Sequence, residues 1–96
     1  MARVIVSENA KEDLERLFDF LARENMQWAT QAITVIRDGL GILVTHPLIG
    51  RPAEFSLREL VISKGESGYL ALYDYDEAMD EVVVLAIRHQ REVGYT

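Results

Sequence analysis

The run Val82-Val83-Val84-Leu85-Ala86-Ile87 is apolar at every position. Side chains of a strand alternate between two faces, so such a run is either covered on both sides of its sheet or leaves one face apolar. By that alternation Val82, Val84 and Ala86 share one face, and Val83, Leu85 and Ile87 the other. A chain of 96 residues makes one domain, spanning 1–96, with a modest core and no third layer. One face therefore packs on helices, and the other is expected to meet a partner chain. The run stops at Arg88-His89-Gln90-Arg91, so the strand delivers two guanidiniums, an imidazole and an amide from its end.

Upstream, Tyr69, Ala71, Tyr73 and Tyr75 fall on one face by the same period of two, and Leu70 and Leu72 on the other. Leucines suit a face against helices. Tyrosines carry flat rings with polar tips, which suits a surface that meets a partner. Tyrosine is also simply a good strand residue, and the pattern alone fits either use.

Charge narrows the function classes. Ten Lys and Arg face sixteen Asp and Glu, for a net −6, a poor balance for a protein that relies on phosphate contacts alone. Residues 65–87 hold six acids and no base. The bases placed to meet an anion are Arg51, Arg58, Lys64, Arg88 and Arg91, enough for a local site and too few for a broad nucleic-acid face. There is no cysteine, so disulfides, a thiolate nucleophile and a cysteine zinc site are excluded. No cofactor or metal is expected. No apolar run reaches the ~18 residues of a membrane helix, and the first residues lack a signal-peptide pattern. A cytoplasmic location is expected.

In chain order, Arg3-Val4-Ile5-Val6 reads as a short strand, and Ser7 as the N-cap of a helix over about 8–24. Ala10, Leu14, Leu17, Phe18 and Leu21 share its inner face. Glu12 with Arg16 and Asp19 with Arg23 form i,i+4 pairs on a solvated face. Asn25 breaks this helix and caps the next, which runs to about residue 45 with Trp28, Ala32, Val35, Ile36, Leu40 and Leu43 inward. Gly39 and Gly41 weaken its end, and Pro47 stops it. The two helices should form an antiparallel hairpin. His46 reads as an exposed loop residue. A loop through Gly50-Arg51-Pro52 leads to strands over 58–62, 69–74 and 81–88, whose short connections imply an antiparallel meander. The fold class is α+β, in the order β-α-α-β-β-β.

This order resembles the RelE/ParE family of bacterial toxins from type II toxin–antitoxin (plasmid stabilisation) systems. The residues that carry the resemblance are Gly50-Arg51-Pro52, Leu57-Arg58-Glu59-Leu60-Val61-Ile62, Ser67-Gly68-Tyr69-Leu70-Ala71-Leu72-Tyr73 and Val84-Leu85-Ala86-Ile87-Arg88-His89-Gln90-Arg91-Glu92. It covers nearly the whole chain. It implies a helical hairpin packed on an antiparallel sheet and a cognate antitoxin whose C-terminal segment wraps the toxin. Operator DNA would be met only through that antitoxin, and no membrane is involved.

The family divides into a branch that cleaves messenger RNA in the ribosomal A site and a branch that poisons DNA gyrase. Cleavage needs a base, an acid and cations around the charged transition state. The resemblance puts forward His89 or Glu54 for proton transfer, Arg58 and Arg88 for the phosphate, and Tyr95 for stacking or proton donation. Each has an ordinary reading beside that one: Arg58 as a charge on a sheet edge, Arg88 and Arg91 as partners of nearby acids, His89 as a tolerated strand end, Tyr95 as a frayed terminus. The acidity of the chain, the Gly-Arg-Pro loop and the Arg-His-Gln-Arg tail look more like the gyrase-directed branch, which needs no acid–base pair. On that reading Arg51, Arg58, Tyr69, Tyr73, Tyr75, Arg88, His89 and Arg91 bind target or antitoxin. The ribonuclease is the alternative, and a non-toxic module that only co-represses its operon is a third.

Overall fold

The computed structural model describes residues 1–63, 68–92 and 94–95. Strand β1 (Arg3–Val6) leads into α1 (Glu8–Ala22) and α2 (Met26–Leu40), which runs on as a 3-10 turn over Gly41–Val44. Strands β2 (Arg51–Pro52), β3 (Arg58–Ile62), β4 (Tyr69–Asp76) and β5 (Glu81–His89) follow. The sheet order is β1-β5-β4-β3-β2. The last three strands form the expected antiparallel meander, and β2, too short to have been legible, adds to it antiparallel to β3. The sheet as a whole is mixed, because β1 lies parallel to β5. The chain between these two parallel strands is the helical hairpin followed by β2, β3 and β4, far longer than the roughly dozen residues a parallel pair requires.

Local signals place the helices. The Ser7 side chain accepts from Ala10 N at 3.1 Å, and that of Asn25 accepts from Gln27 N and Trp28 N at 2.8 and 3.3 Å. These two caps hold the hairpin's helix starts. The buried stripe of α2 is Ala29, Ala32, Ile36 and Leu40. Trp28, expected in the core, is instead 56% exposed, and Val35 is also exposed. Each sits one residue, hence about 100° of helix rotation, from the buried stripe. The pair lines a shallow hollow with Leu21, Gln31 and Tyr69.

The sheet faces are assigned the opposite way from expectation. Tyr69, Ala71 and Tyr73 are buried in the core with Leu17, Ala32, Ile36, Leu40, Leu60 and Ile62, and Tyr75 packs against it. The tyrosine face is thus the helix face, and Leu70 and Leu72 point to the open side. Register explains why. Leu60 and Ile62 of β3 stand opposite Ala71 and Tyr69, while Glu59 and Val61 stand opposite Leu72 and Leu70. The charged residue of β3 therefore shares a face with the leucines.

Strand β5 changes parity part-way. Leu72 pairs with Ala86 but Tyr73 pairs with Val84, so Leu85 is an extra residue. This bulge puts Val82, Val84 and Ile87 together in the core and sends Ala86 and Arg88 to the open face with Leu72 and Leu70. The faces expected from strict alternation, with Ile87 beside Val83, are corrected accordingly.

The bulge is held by α1. Strand β1 stops pairing at Val84, and side chains from the first turns of α1 continue along the β5 edge. Ser7 Oγ and Asn9 Nδ2 donate to Leu85 O at 3.2 and 2.9 Å, and Ile87 N donates to Asp13 Oδ2 at 2.8 Å. Asp13 is 3% exposed. Arg16 pairs with Asp13 and with Glu92 of the C-terminal tail, at 3.6 and 2.7 Å, in place of the expected Glu12. This side of α1 is a seam against β5.

Gly39 marks the closest approach of α2 to β3. A Cβ there would stand 2.6 Å from Ile62 Cγ2. Gly39→Ala should therefore lower stability by about 1–3 kcal/mol through overpacking, against a gain of about 1 kcal/mol from helix propensity alone. Urea denaturation gives the sign: a more stable variant would mean that α2 stands off the sheet.

Acids around the β4–β5 turn are used structurally. The terminal amine of Met1 lies 3.6 Å from Asp80 Oδ2 and Arg3 lies 4.0 Å from Glu81. Tyr75 Oη donates to Asp80 Oδ1 at 2.7 Å, which pushes the phenol up, with burial adding to the effect.

Candidate functional site

The sequence-predicted residues separate onto two sides of the sheet. On the open face, Arg88 stands opposite Leu70 and Glu59 opposite Leu72. Arg51, opposite Glu59 on β2, binds the Glu59 carboxylate through Nε at 2.8 Å and also through Nη2. Tyr95 Oη donates to the other Glu59 oxygen at 2.5 Å, and the Arg88 guanidinium lies 5.1 Å from the Tyr95 ring centroid, a cation–π distance. Tyr95 therefore reaches from β3 to β5, across β4 at Leu70 and Leu72. Leu70 and Ala86 are buried although no helix covers that face, while Val61 beside them is exposed.

Arg88 is tied down further by Nη1 donating to the carbonyls of Glu92 and His89, the latter at 3.4 Å. Its Nε is buried and has no hydrogen-bond partner among the described residues. Burial opposes the charge of Glu59. The hydrogen bonds from Tyr95 and Arg51 and the positive charges of Arg51 and Arg88 outweigh that penalty and hold the carboxyl below its ordinary value. Tyr95 is displaced the other way, chiefly by burial and then by its bond to Glu59, with Arg88 offsetting part of the effect. A phenol this hard to ionise donates a hydrogen bond and does not supply charge.

A depressed carboxyl stabilises the fold above its unfolded value of about 4.3, and that stability is lost as pH falls through the lower folded value. Wild-type stability should fall more steeply than that of Glu59→Gln below about pH 4. Urea melts at pH 7 and pH 3 measure this; parallel losses in the two proteins would show that Glu59 is not the group responsible.

On the helix side, Arg58 stands opposite Tyr73. Its Nη1 donates to Leu48 O and Gly50 O at 3.2 and 2.9 Å, fastening the loop before β2. Gly50 N donates to Tyr73 Oη at 2.8 Å. Arg58 and Arg88 thus lie on opposite faces and do not converge on one phosphate. His89 stands opposite Tyr69, with the rings edge-to-face at 5.4 Å. Its Nδ1 accepts from Arg91 N at 3.1 Å. The imidazole lies in a cleft of roughly 590 Å³ with Arg16, Phe20, Leu21, Tyr69 and Arg91, on the side away from Arg88. Glu54 is exposed in the β2–β3 connection. Lys64 lies outside the described residues.

The structure therefore brings together Arg51, Arg88 and Tyr95, and separates Arg58 and His89 from them. Tyr69 and Tyr73 are buried, and Tyr75 is engaged with Asp80. Sequence reasoning missed Glu59 as the centre of the cluster. The signal was available: an acid on the opposite parity from Leu60 and Ile62, placed to face Arg51 across a tight connection. Among the described residues no group of three His, Cys, Asp or Glu could hold a metal ion, and no helix is long and apolar enough to cross a membrane.

Residues 4–94 match the family model described as ParE toxin of type II toxin-antitoxin system, parDE. The chain belongs to the RelE/ParE family of type II toxins. A relative in Caulobacter vibrioides, Toxin RelE3, is 33% identical over 92 residues, covering 96% of this chain and 98% of the relative. Among solved structures, a chain of the toxin–antitoxin complex RelBE2 from Mycobacterium tuberculosis matches with a TM-score of 0.65. It covers 95% of this chain and 93% of its own, at 21% identity. That likeness concerns the fold. For this RelE/ParE toxin it agrees with two helices packed on a five-stranded sheet.

Proposed function

We propose that this toxin is a ParE-like growth inhibitor that acts on DNA gyrase in the cytoplasm and is silenced by a cognate antitoxin. One observation carries the choice of branch: the groups a ribonuclease would have to converge on a phosphate are apart and already engaged. Arg58 holds loop carbonyls on one face, and Arg88 holds the carbonyls of His89 and Glu92 on the other. His89 opens into a cleft away from Arg88. A surface that traps a protein–DNA intermediate needs none of that convergence.

The antitoxin is drawn to different surfaces from the tyrosine face. Phe20, Trp28 and Val35 on the helical hairpin and Val61 on the open face are exposed apolar side chains, the kind of surface that a wrapping segment buries. Operator DNA would be reached through the antitoxin, since this acidic chain offers no broad basic face.

A second reading, ribosome-dependent cleavage of messenger RNA, is favoured by the name of the Caulobacter relative, Toxin RelE3. Purified toxin incubated with gyrase, ATP and supercoiled plasmid should leave linear DNA after detergent and protease. A message cut in primer extension, with the cut lost in His89→Ala, would select the second reading. Neither product would leave a co-repressor module.

A further inference from the structure

We infer that Glu59 is an internal counter-anion that occupies the place of a phosphate between Arg51 and Arg88, and so bars single-stranded nucleic acid from the open face of the sheet. The inference rests on the reading that this face is not a nuclease centre, and it assigns the residue responsible.

The geometry is that of a filled anion site. One Glu59 oxygen takes two guanidinium donors from Arg51, and the other takes the Tyr95 hydroxyl. Arg88 contributes its charge from the neighbouring side. A fork of guanidinium donors and a hydroxyl converging on two oxygens is how proteins hold phosphate. Here the oxygens come from the chain's own strand. The Glu59 side chain is 14% exposed, so the carboxylate is held in place, and the Arg51 Nε and Nη2 donors it occupies are open to a phosphodiester only if it is displaced. An incoming phosphate would also meet the negative charge of the Glu59 carboxylate. Above the carboxylate, the Tyr95 ring lies against Arg88 and uses the flat surface on which a base would stack. The Arg88 Nε is buried and, among the described residues, has no hydrogen-bond acceptor.

A structural alternative exists. The same contacts fasten β2 and the C-terminal tail to β3, and a residue with only that role would change stability without changing what the face binds. Affinity for a fluorescent single-stranded RNA decamer, measured by anisotropy at two salt concentrations, separates these roles. Wild type should show no binding at micromolar protein. Glu59→Gln, which keeps an acceptor for Tyr95 and Arg51, should bind at least tenfold more tightly with a steeper salt dependence. Glu59→Ser frees the same guanidiniums without asking an amide to fit, and should reproduce the gain. Adding Arg88→Ala should abolish it. Glu12→Gln on the solvated side of α1 makes the same change in net charge and should have no effect. A chain ending at Gly94 removes Tyr95 but keeps Glu59, and should not bind. Equal affinity of wild type and both Glu59 variants overturns the inference, as does a gain that survives Arg88→Ala or that Glu12→Gln matches. Failure of the gyrase reading would appear in the plasmid assay and leave these affinities unaffected.

Discussion

Tyr73→Ala should lower unfolding free energy by about 3–5 kcal/mol, the range for emptying a large aromatic site in a packed core. Tyr73 is 0% exposed and the largest fully buried side chain. Its ring fills the space between the helix layer and the loop before β2, where a Cβ on Gly50 would come within 2.6 Å of it. Its hydroxyl also accepts from Gly50 N, and Arg58 fixes the same residue through its carbonyl. Tyr73→Phe keeps the ring and loses the acceptor, so it should cost about 1–2 kcal/mol, the penalty for a buried N–H left unpaired. Burial holds the phenol above its ordinary value, against smaller opposing effects from Gly50 and Arg58. It therefore stays neutral at physiological pH, and both losses should be flat between pH 6 and 8. Urea denaturation decides the matter. Equal losses for the two variants would show that the hydroxyl, not the ring, carries the effect.

Asp13→Ala is the second large effect, expected at about 1–3 kcal/mol because it leaves the buried Ile87 N–H without its acceptor. Asp13 accepts from Ile87 N beside the β5 bulge and faces Arg16. The carboxylate supplies the Ile87 N–H with an acceptor beyond Val84, where pairing with β1 ends. Asp13→Asn keeps an acceptor oxygen and should cost about half as much. The particular readout is amide exchange. The Ile87 N–H should exchange far faster in Asp13→Ala than in wild type, while the Ile5 N–H, within β1, should hardly change. Unaltered protection at Ile87 would mean that the bulge is held by other means.

These positions also show what was legible in the chain. The two caps, the helical hairpin and the meander followed from local chemistry, because Ser7, Asn25 and Pro47 act on their immediate neighbours. Which face of the sheet receives the helices did not follow, since it depends on pairing across strands. Tyr69 to Tyr75 alternate cleanly, but only the register with Leu60 and Ile62 says that this face is the core. The bulge at Leu85 was hidden because an all-apolar strand looks the same at either parity. Its causes, Ser7, Asn9 and Asp13, lie more than seventy residues away in the sequence. Trp28 was misplaced because the apolar stripe of α2 is broader than the face it buries.

The candidate site divides along the same line. Arg51, Arg88 and Tyr95 were identifiable by residue type, and the structure gathers them. Arg58 and His89 looked equivalent to Arg88 in sequence, but strand parity sends them to the other face. Glu59 was invisible as the centre because its partners come from β2, β5 and the tail, an arrangement that only the folded sheet creates.

The central claim is that this toxin arrests growth through a surface and not through RNA chemistry. It is tested most directly in the first minutes after induction in a bacterial host without the antitoxin, by following labelled thymidine and labelled methionine together. Gyrase poisoning predicts that thymidine incorporation falls first while protein synthesis continues. An immediate halt of methionine incorporation with DNA synthesis still running, reversed by His89→Ala, would contradict the account.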